Sequence, residues 1–291
     1  AQTEPSHDGE VSLKKSATPK KKCGTCNAEL ILDPSPDNRN GDLLCFDCDF
    51  TPEAIKKYYQ DTFGKMSRYA LRDIEDVPGF TPPKQKPIFE SPAEMNPYLK
   101  DVLALVDGDQ SALRDHLFGT AFKSGMLLSI ARQRYVYKYA WAIPCKRALE
   151  VIAQYSPIVE IGAGSGYWAS LIAEMGADVV AYDVSTTKQY KGSYNHFYKH
   201  YFDVKEGSES AVKDHADRAL FLCWPPYNDK MAVNTLKQYR GETVLYVGEG
   251  KGGCTASDSF FNLLTKNFSE EESVEIPVWF GIHDRLFVFK R

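Results

Sequence analysis

The sequence contains no apolar run that approaches the roughly 18 to 20 residues needed to cross a bilayer. Its first residues, AQTEPSHDGEVSLKKSATPKKK, also lack the apolar core of a secretory signal. Neither sign of charge dominates, because 35 basic residues face 39 acidic ones. These absences argue against a membrane partner and favour a cytoplasmic or nuclear protein. With 291 residues and 43% hydrophobic composition, the chain can bury one substantial core beside a small satellite domain.

Cysteine is scarce, yet its spacing is informative. Four of the seven cysteines form two Cys-x-x-Cys knuckles: Cys23, Cys26, Cys45 and Cys48. In a reducing compartment such knuckles are typical of a metal site, with two unrelated pairs or a redox pair as the alternatives. Four thiolates satisfy the tetrahedral preference of zinc. Because the intervening stretch has strand-turn-strand character around Asn40-Gly41, it resembles a treble-clef or ribbon zinc finger. We predict a zinc-binding module over residues 23–50.

The segments that flank this module differ in composition. Residues 1–22 form a basic tail, in which a lysine run suits phosphate backbones, a nuclear address or simple solvation. Residues 51–90 predict a helix capped by Thr51 and then a linker rich in proline. Residues 91–144 predict a helical extension or lid, which continues to a break at Pro144.

The most specific pattern is IVEIGAGSGYWASLIAEMGADVVAYDV, which predicts a strand, a glycine-rich turn, a helix and a second strand. Glycines in the turn allow the backbone to approach a ligand closely. Asp183, at the end of the second strand, lies where a carboxylate can accept hydrogen bonds from ribose hydroxyls. Glu160 at the end of the first strand suits a ligand with a cationic amine rather than a pyrophosphate. A nucleotide-binding dehydrogenase is the alternative.

Two further stretches complete the pattern. RALFLCWPPY falls where a fourth strand is expected, and VEIPVWFGIHDRLFVFKR predicts two strands joined by a short turn, which give an antiparallel edge. Over residues 145–291 the sequence thus resembles the class I S-adenosylmethionine-dependent methyltransferases. The resemblance implies an α/β fold with a Rossmann-like, mostly parallel sheet and an antiparallel terminal strand, preceded by helices and the small zinc module.

The resemblance also implies a set of residues that bind S-adenosyl-L-methionine. The glycine-rich turn cradles the methionine part of the cofactor, the acid after the second strand holds the ribose, and the tip of the fourth strand faces the methyl group. Matched by position, the cofactor-binding candidates are Glu160, Gly162, Ala163, Gly164, Gly166, Tyr167, Asp183, Val184 and Cys223.

The tip Trp224-Pro-Pro-Tyr resembles the (Asp/Asn)-Pro-Pro-(Tyr/Phe/Trp) motif of amino-methyltransferases that act on adenine N6, cytosine N4 or glutamine. In that motif the first side chain and a proline carbonyl accept hydrogen bonds from the target amine, and the aromatic ring stacks on it. Trp224 departs from the pattern, because an indole donates through its N–H and offers no comparable acceptor. Trp224 therefore packs, stacks on a planar substrate, or marks a loss of catalysis. The catalytic candidates are Trp224, Pro225, Pro226, Tyr227 and Glu249, with Asp229 as a second acid.

Substrate contacts are expected from two stretches that mix aromatic and basic residues. The predicted lid RQRYVYKYAW and the stretch after Asp183 supply the candidates Tyr135, Tyr139, Trp141, Tyr194 and His196. His283 and Asp284 are expected to shape the turn before the last strand.

Together these patterns favour a methyltransferase that acts on a nucleic-acid base, with an amino group of the adenine N6 type as the acceptor. RNA or DNA is the expected partner, bound through the basic tail and the zinc module. A small-molecule or protein methyltransferase with a docked protein partner is one alternative, and a scaffold protein without turnover is another.

Overall fold

The computed structural model describes residues 21–32, 43–63, 89–114, 122–184, 197, 199–227 and 229–291. The basic tail up to residue 20, the predicted turn at Asn40-Gly41 and most of the proline-rich linker lie outside these residues, as do Tyr194 and His196. Among the described residues, no helix is both long and apolar enough to span a bilayer.

The described residues begin with two short strands and four α-helices, which precede the strands and helices of the main sheet. The helices are α1 (Pro52–Phe63), α2 (Pro97–Leu105), α3 (Phe122–Lys138), α4 (Lys146–Ala153), α5 (Tyr167–Glu174), α6 (Met231–Gln238) and α7 (Asp258–Asn267). The strands are β1 (Leu30–Leu32), β2 (Leu43–Cys45), β3 (Ile158–Ile161), β4 (Val179–Asp183), β5 (Val204–Glu206), β6 (Ala219–Cys223), β7 (Thr243–Gly248), β8 (Ser269–Glu275) and β9 (Arg285–Lys290). Short 3-10 helices span Gln110–Leu113 and Glu209–Asp214.

The main sheet has seven strands in the order β5-β4-β3-β6-β7-β9-β8. Strands β3 to β7 are parallel to one another, whereas β9 runs antiparallel to both β7 and β8. All four residues of β3 are buried, as expected for a central parallel strand covered on both faces. This strand order, with one antiparallel strand, is that of the Rossmann-like class I methyltransferase sheet, so the predicted fold class is confirmed.

Alternating side chains of the sheet supply two hydrophobic layers. In β6, Phe221 packs with α2 to α5 on one face, whereas Leu220 and Leu222 pack with α6 and α7 on the other. Strand β7 divides in the same way, because successive side chains of a strand point to opposite faces. The two layers fix the helices on both faces and leave the carboxyl ends of the parallel strands to form one edge.

The end of the chain differs from the predicted pair of strands joined by a short turn. Strand β8 begins earlier, at Ser269, and residues 276–284 form an irregular connection. The connection is apolar because it packs into the core: Trp279 donates from Nε1 to the hydroxyl of Tyr98 at 3.2 Å, and Val278 donates to the carbonyl of Leu113 at 2.8 Å. The antiparallel strand β9 also lies inside the sheet, and β8 forms the edge.

The predicted helix that continues to Pro144 is also shorter in the structure. Helix α3 ends at Lys138, and residues 139–144 follow as irregular chain. The backbone there is engaged elsewhere, since the carbonyl of Ala140 accepts from the hydroxyl of Tyr98 and that of Ala142 accepts from Nε1 of Trp168. This irregular segment brings Trp141 to the edge of the sheet where the parallel strands end.

Candidate active site at the ends of the parallel strands

The glycine-rich turn after β3 is attached to the end of β4. The amides of Gly162 and Ala163 donate to the carbonyl of Tyr182 at 2.8 and 3.0 Å. The amide of Gly164 donates to Oδ2 of Asp183 at 2.9 Å, which fixes a carboxylate that is 1% exposed. The turn and the acid predicted to bind a cofactor therefore form one hydrogen-bonded unit.

Glycine is required in this turn for two reasons. Gly162, Gly164 and Gly166 all have positive φ angles, of 80°, 56° and 72°. A Cβ atom on Gly164 would lie 2.5 Å from the ring of Phe197, and one on Gly162 would lie 2.5 Å from Cε of Met231. A side chain would thus meet backbone strain at all three positions and, at Gly164, also a clash with an aromatic ring.

Glu160 brings an unsatisfied carboxyl group to the same edge. Its side chain is 1% exposed, and Oε2 has no hydrogen-bond partner among the described residues. Burial raises the pKa of Glu160 well above its usual range, and the nearby charge of Asp183 raises it further. A ligand that brings an ammonium group would supply the missing donor and the missing charge.

The other cofactor candidates have different surroundings. Ala163 is buried in the turn, and Val184 is exposed after β4. The hydroxyl of Tyr167 donates to Oδ1 of Asn96 at 3.1 Å, so this ring faces α2 rather than the turn. Burial raises the pKa of the Cys223 thiol, with the charge of Glu160 as a second cause, so Cys223 stays protonated and is a poor nucleophile.

The tip after β6 is held by backbone hydrogen bonds. Trp224, with a φ of 53°, donates from its amide to the carbonyl of Val247 at 2.8 Å. The carbonyl of Pro225 accepts from the amide of Ala256 at 2.8 Å, and Pro226 forms a bridge with Thr255. Tyr227 is 50% exposed. One lone pair of the Pro225 carbonyl is therefore already used inside the protein, and the Tyr227 ring is accessible.

The side chain of Trp224 reaches a carboxylate from the far end of the chain. Its indole N–H lies 2.9 Å from Oδ1 and 2.7 Å from Oδ2 of Asp284. The ring stacks on Trp141, with centroids 4.9 Å apart and an interplanar angle of 9°. The guanidinium carbon of Arg132 lies 5.1 Å from the Trp224 ring centroid and 5.5 Å from that of Trp141. The structure thus brings Trp224 and the predicted substrate residue Trp141 together.

The two acids beside the tip differ in protonation. Burial raises the pKa of Asp284 to about 7, although the hydrogen bond from Trp224 opposes the rise. Burial also tends to raise the pKa of Glu249, yet hydrogen bonds from Cys254 and His283 bring it below its usual value. Glu249 accepts from the amide of Cys254, and from the amide and Nδ1 of His283 at 2.9 and 3.1 Å. Asp284 is therefore the acid that changes protonation near neutral pH.

Sequence reasoning assigned Asp284 only a role in shaping a turn. Its partner Trp224 lies 60 positions away along the chain, and the one local signal was an acid that directly precedes the last strand. Arg132 was missed as well. Its Nε and Nη2 atoms are buried and have no hydrogen-bond partner within the described part of the chain.

The other acid proposed at the tip, Asp229, is engaged locally. Its Oδ1 accepts from the amide of Met231 at 2.6 Å, at the start of α6. This hydrogen bond orders the beginning of a helix and directs the carboxylate toward the backbone.

Tyr135 and Tyr139 lie in the protein core instead of an open pocket. They belong to an aromatic cluster formed by Tyr98, Tyr135, Tyr139, Tyr167, Tyr201 and Trp279. The hydroxyl of Tyr139 donates to Oδ2 of Asp101 at 2.7 Å, whereas that of Tyr135 is buried without a partner among the described residues. This cluster joins α2, α3 and α5 beneath the candidate site.

The four knuckle cysteines form a second cluster. Their Sγ atoms all lie within 4.8 Å of one another. The separations are 3.9 Å between Cys23 and Cys48 and 3.3 Å between Cys26 and Cys45. A tetrahedral zinc ion with bonds of about 2.3 Å requires sulfur separations of about 3.8 Å. The cluster therefore matches the size of a four-thiolate metal site.

Backbone donors favour thiolate at one corner of this cluster. Hydrogen bonds from the amides of Cys26 and Thr25 lower the pKa of Cys23 to about 6. Burial raises the pKa of Cys45 above its ordinary value. The knuckles are anchored to the helical layer, because Arg134 donates to the carbonyl of Asp49 at 3.2 Å and Phe50 is fully buried.

The comparisons with known proteins found similarity only among solved structures. No protein-family model matches it, and no curated protein matches its sequence. Among solved structures, the 1,6-didemethyltoxoflavin-N1-methyltransferase of Burkholderia thailandensis is 15% identical, with a TM-score of 0.36. The match covers 50% of this chain and 77% of that enzyme's chain. The magnesium protoporphyrin IX methyltransferase of Synechocystis is 10% identical, with a TM-score of 0.32. The match covers 50% of this chain and 78% of that enzyme's chain.

Proposed function

We propose that this protein is an S-adenosylmethionine-dependent methyltransferase. The observation that carries the proposal is the pair of buried acids at the ends of β3 and β4, where Glu160 keeps an unpartnered carboxyl oxygen and Asp183 is fixed by the glycine turn. The class I strand order places both acids at the edge where ligands of open α/β sheets bind.

The residues present fit the cofactor. Glu160 would pair with its ammonium group, and Asp183 would accept hydrogen bonds from its ribose hydroxyls. S-adenosylmethionine, when bound, supplies a methyl group activated as a sulfonium. The protein then contributes alignment of the acceptor and a place for the acceptor's proton.

For the acceptor, we propose an amino group on a nucleic-acid base, of the adenine N6 type. The exposed Tyr227 ring supports this proposal, because an aromatic face can stack on a planar base. The cysteine module supports it as well, since small zinc modules commonly contact nucleic acid. A structural zinc ion held by Cys23, Cys26, Cys45 and Cys48 belongs to the same proposal.

Isothermal titration calorimetry with S-adenosylmethionine tests the cofactor assignment. We expect binding by the wild-type chain and its loss in Asp183→Ala, because that variant removes the carboxylate that anchors the turn. Asp217→Asn, which changes an exposed acid outside the site, is the matched control. A wild-type chain that binds neither the cofactor nor S-adenosylhomocysteine would instead indicate a scaffold protein.

A labelled-methyl transfer assay tests the acceptor. RNA, single-stranded DNA, small heteroaromatic amines and a mixture of peptides are compared as substrates under one set of conditions. Transfer to the nucleic acids that Asp183→Ala abolishes supports the proposal. Transfer confined to the small amines or to the peptides would overturn the nucleic-acid assignment and leave the methyltransferase assignment intact.

A further inference from the structure

The motif-like tip has a donor where a carboxylate or amide is expected, and that donor is bound to a carboxylate. The indole N–H of Trp224 contacts both oxygens of Asp284, at 2.9 and 2.7 Å. Asp284 directly precedes β9, which pairs with β7, so the acid reaches the tip from another strand of the same sheet. The site therefore contains a hydrogen-bond acceptor, the Asp284 carboxylate, which contacts the residue at the first position of the motif.

The contacts of the Trp224 indole indicate which kind of ligand the Asp284 carboxylate can bind. Trp224 is a planar N–H donor whose ring stacks on Trp141 and lies beneath the guanidinium of Arg132. Stacking, a cation over the ring and a carboxylate at the N–H edge are also the contacts that would hold a heteroaromatic amine. Because Asp284 is 2% exposed, such a ligand reaches it only by displacing the indole N–H.

We propose that Asp284 orients the N–H acceptor of methyl transfer and takes up its proton, while Trp224 acts as a positioning residue that holds this carboxylate until the acceptor displaces it. This inference rests on the proposed function and narrows the reacting group of the acceptor to a neutral, planar N–H group.

The proposed step balances without any further reactant. The acceptor nitrogen forms a bond to the methyl carbon, the carbon–sulfur bond breaks, and its electron pair remains on sulfur. The N–H proton passes to a carboxylate oxygen of Asp284 and then to solvent. A base with a pKa near the working pH suits this task, and burial places Asp284 there.

Several other charged groups face Asp284, and the test must separate them. Arg132 on α3 lowers its pKa, whereas Glu249 after β7 raises it and the neighbouring His283 lowers it. The thiols and phenols that interact with it have pKa values raised above neutrality: Cys223, Cys254, Tyr98 and Tyr246. A variant of His283 is therefore needed beside the variant of Asp284.

The first test follows the indole N–H resonances of the four tryptophans by ¹⁵N-edited NMR of the whole chain as pH is varied. The Trp224 signal is the one missing from Trp224→Phe. We expect it to shift with an apparent pKa of about 7 in the wild type and in His283→Gln, and to be independent of pH in Asp284→Asn. A pH-dependent shift that persists in Asp284→Asn, or a pH dependence that disappears in His283→Gln, would overturn the assignment.

The second test measures methyl transfer to an adenine-rich single-stranded RNA against pH. We expect Asp284→Asn to lose about 10²- to 10⁴-fold in kcat, while its affinity for S-adenosylmethionine stays within about threefold of the wild type. Trp224→Phe keeps a packed ring but loses the hydrogen bond that lowers the pKa of Asp284, so its pH profile moves to higher pH.

These results separate the inference from the proposed function. Full turnover by Asp284→Asn, or an unshifted profile for Trp224→Phe, would overturn the role of Asp284 and leave the methyltransferase in place. If Asp284→Asn does not fold, the profile of Trp224→Phe decides. A wild-type chain that binds no cofactor overturns both, and a wild type that binds the cofactor but does not use this RNA leaves the NMR titration to decide.

Discussion

The indole N–H of Trp224 lies 2.7 Å from Oδ2 of Asp284 and so connects the end of β6 to the start of β9. The carboxylate is almost fully buried, and burial raises its pKa from 3.8 to about 7. Ionisation of Asp284 therefore works against folding, because the unfolded chain loses this proton at lower pH than the folded protein does.

The first prediction concerns the stability of Asp284→Asn. The folded state of the wild type holds the proton more tightly, so the wild type loses stability as pH rises from about 4 to about 7. The variant has no such carboxyl group and does not lose this stability. Its free energy of unfolding, relative to that of the wild type, should therefore increase by at most about 4 kcal/mol over this range. Urea denaturation at several pH values measures the difference, with Asp217→Asn as control. A difference that does not vary with pH would contradict the prediction.

A second prediction concerns proton release at Glu160. Burial keeps its carboxyl group protonated to higher pH than usual, and a cationic ligand would favour the charged form. Binding of S-adenosylmethionine should then release a proton, and affinity should rise with pH. Calorimetry in buffers of different ionisation enthalpy detects the release. In Glu160→Gln we expect weaker binding and no such release; equal proton release in the variant would assign it to another group.

A third prediction uses two tyrosines of the aromatic cluster. The hydroxyl of Tyr135 is buried without a partner among the described residues, whereas that of Tyr98 donates to the carbonyl of Ala140 at 2.9 Å and accepts from Trp279. Tyr135→Phe should leave stability unchanged or raise it by about 1 kcal/mol, and Tyr98→Phe should lower it by about 1 to 3 kcal/mol. Chemical denaturation of the two variants provides the comparison, and the reverse order would show that Tyr135 has a partner in solution.

The fourth prediction concerns metal content. Four sulfur atoms within 4.8 Å should hold one zinc ion per chain, measured by elemental analysis of the purified protein. Cys45→Ser should lose the metal and lower the melting temperature, because a structural zinc site contributes directly to folding. Cys254→Ser, which changes an isolated cysteine, should retain it. A wild-type protein without zinc but with a disulfide between knuckles would favour the redox alternative.

Sequence patterns predicted the parts of this fold that are local. The strand, glycine turn, helix and second strand from Ile158 to Asp183 are consecutive, so their order and hydrophobic pattern predict the arrangement directly. The two cysteine knuckles are similarly specific, because each pair is set by a tight turn. The family resemblance over residues 145–291 implied the class of fold, and the structure confirms it.

The parts that depend on distant contacts could not be predicted. The Trp224–Asp284 pair joins residues 60 positions apart, and no local pattern marks it. Tyr135 and Tyr139 belong to a stretch whose mixture of aromatic and basic residues predicted a lid, yet packing against α2 buries them. The strand β8 was predicted too late in the sequence. Its sequence SEEESVE has almost no apolar residue, whereas the IPVWF that follows is almost entirely apolar.

The position of β9 inside the sheet has a consequence for how the candidate site is assembled during synthesis. A chain synthesised as far as residue 283 contains the glycine turn, the buried acids Glu160 and Asp183 and the Trp-Pro-Pro-Tyr tip, but β7 still lacks its antiparallel partner. Asp284 emerges only with the strand that joins β7 to β8. The last strand of the chain therefore supplies both the partner of β7 and the carboxylate beside it, so a chain that stalls or is cut before this strand lacks both.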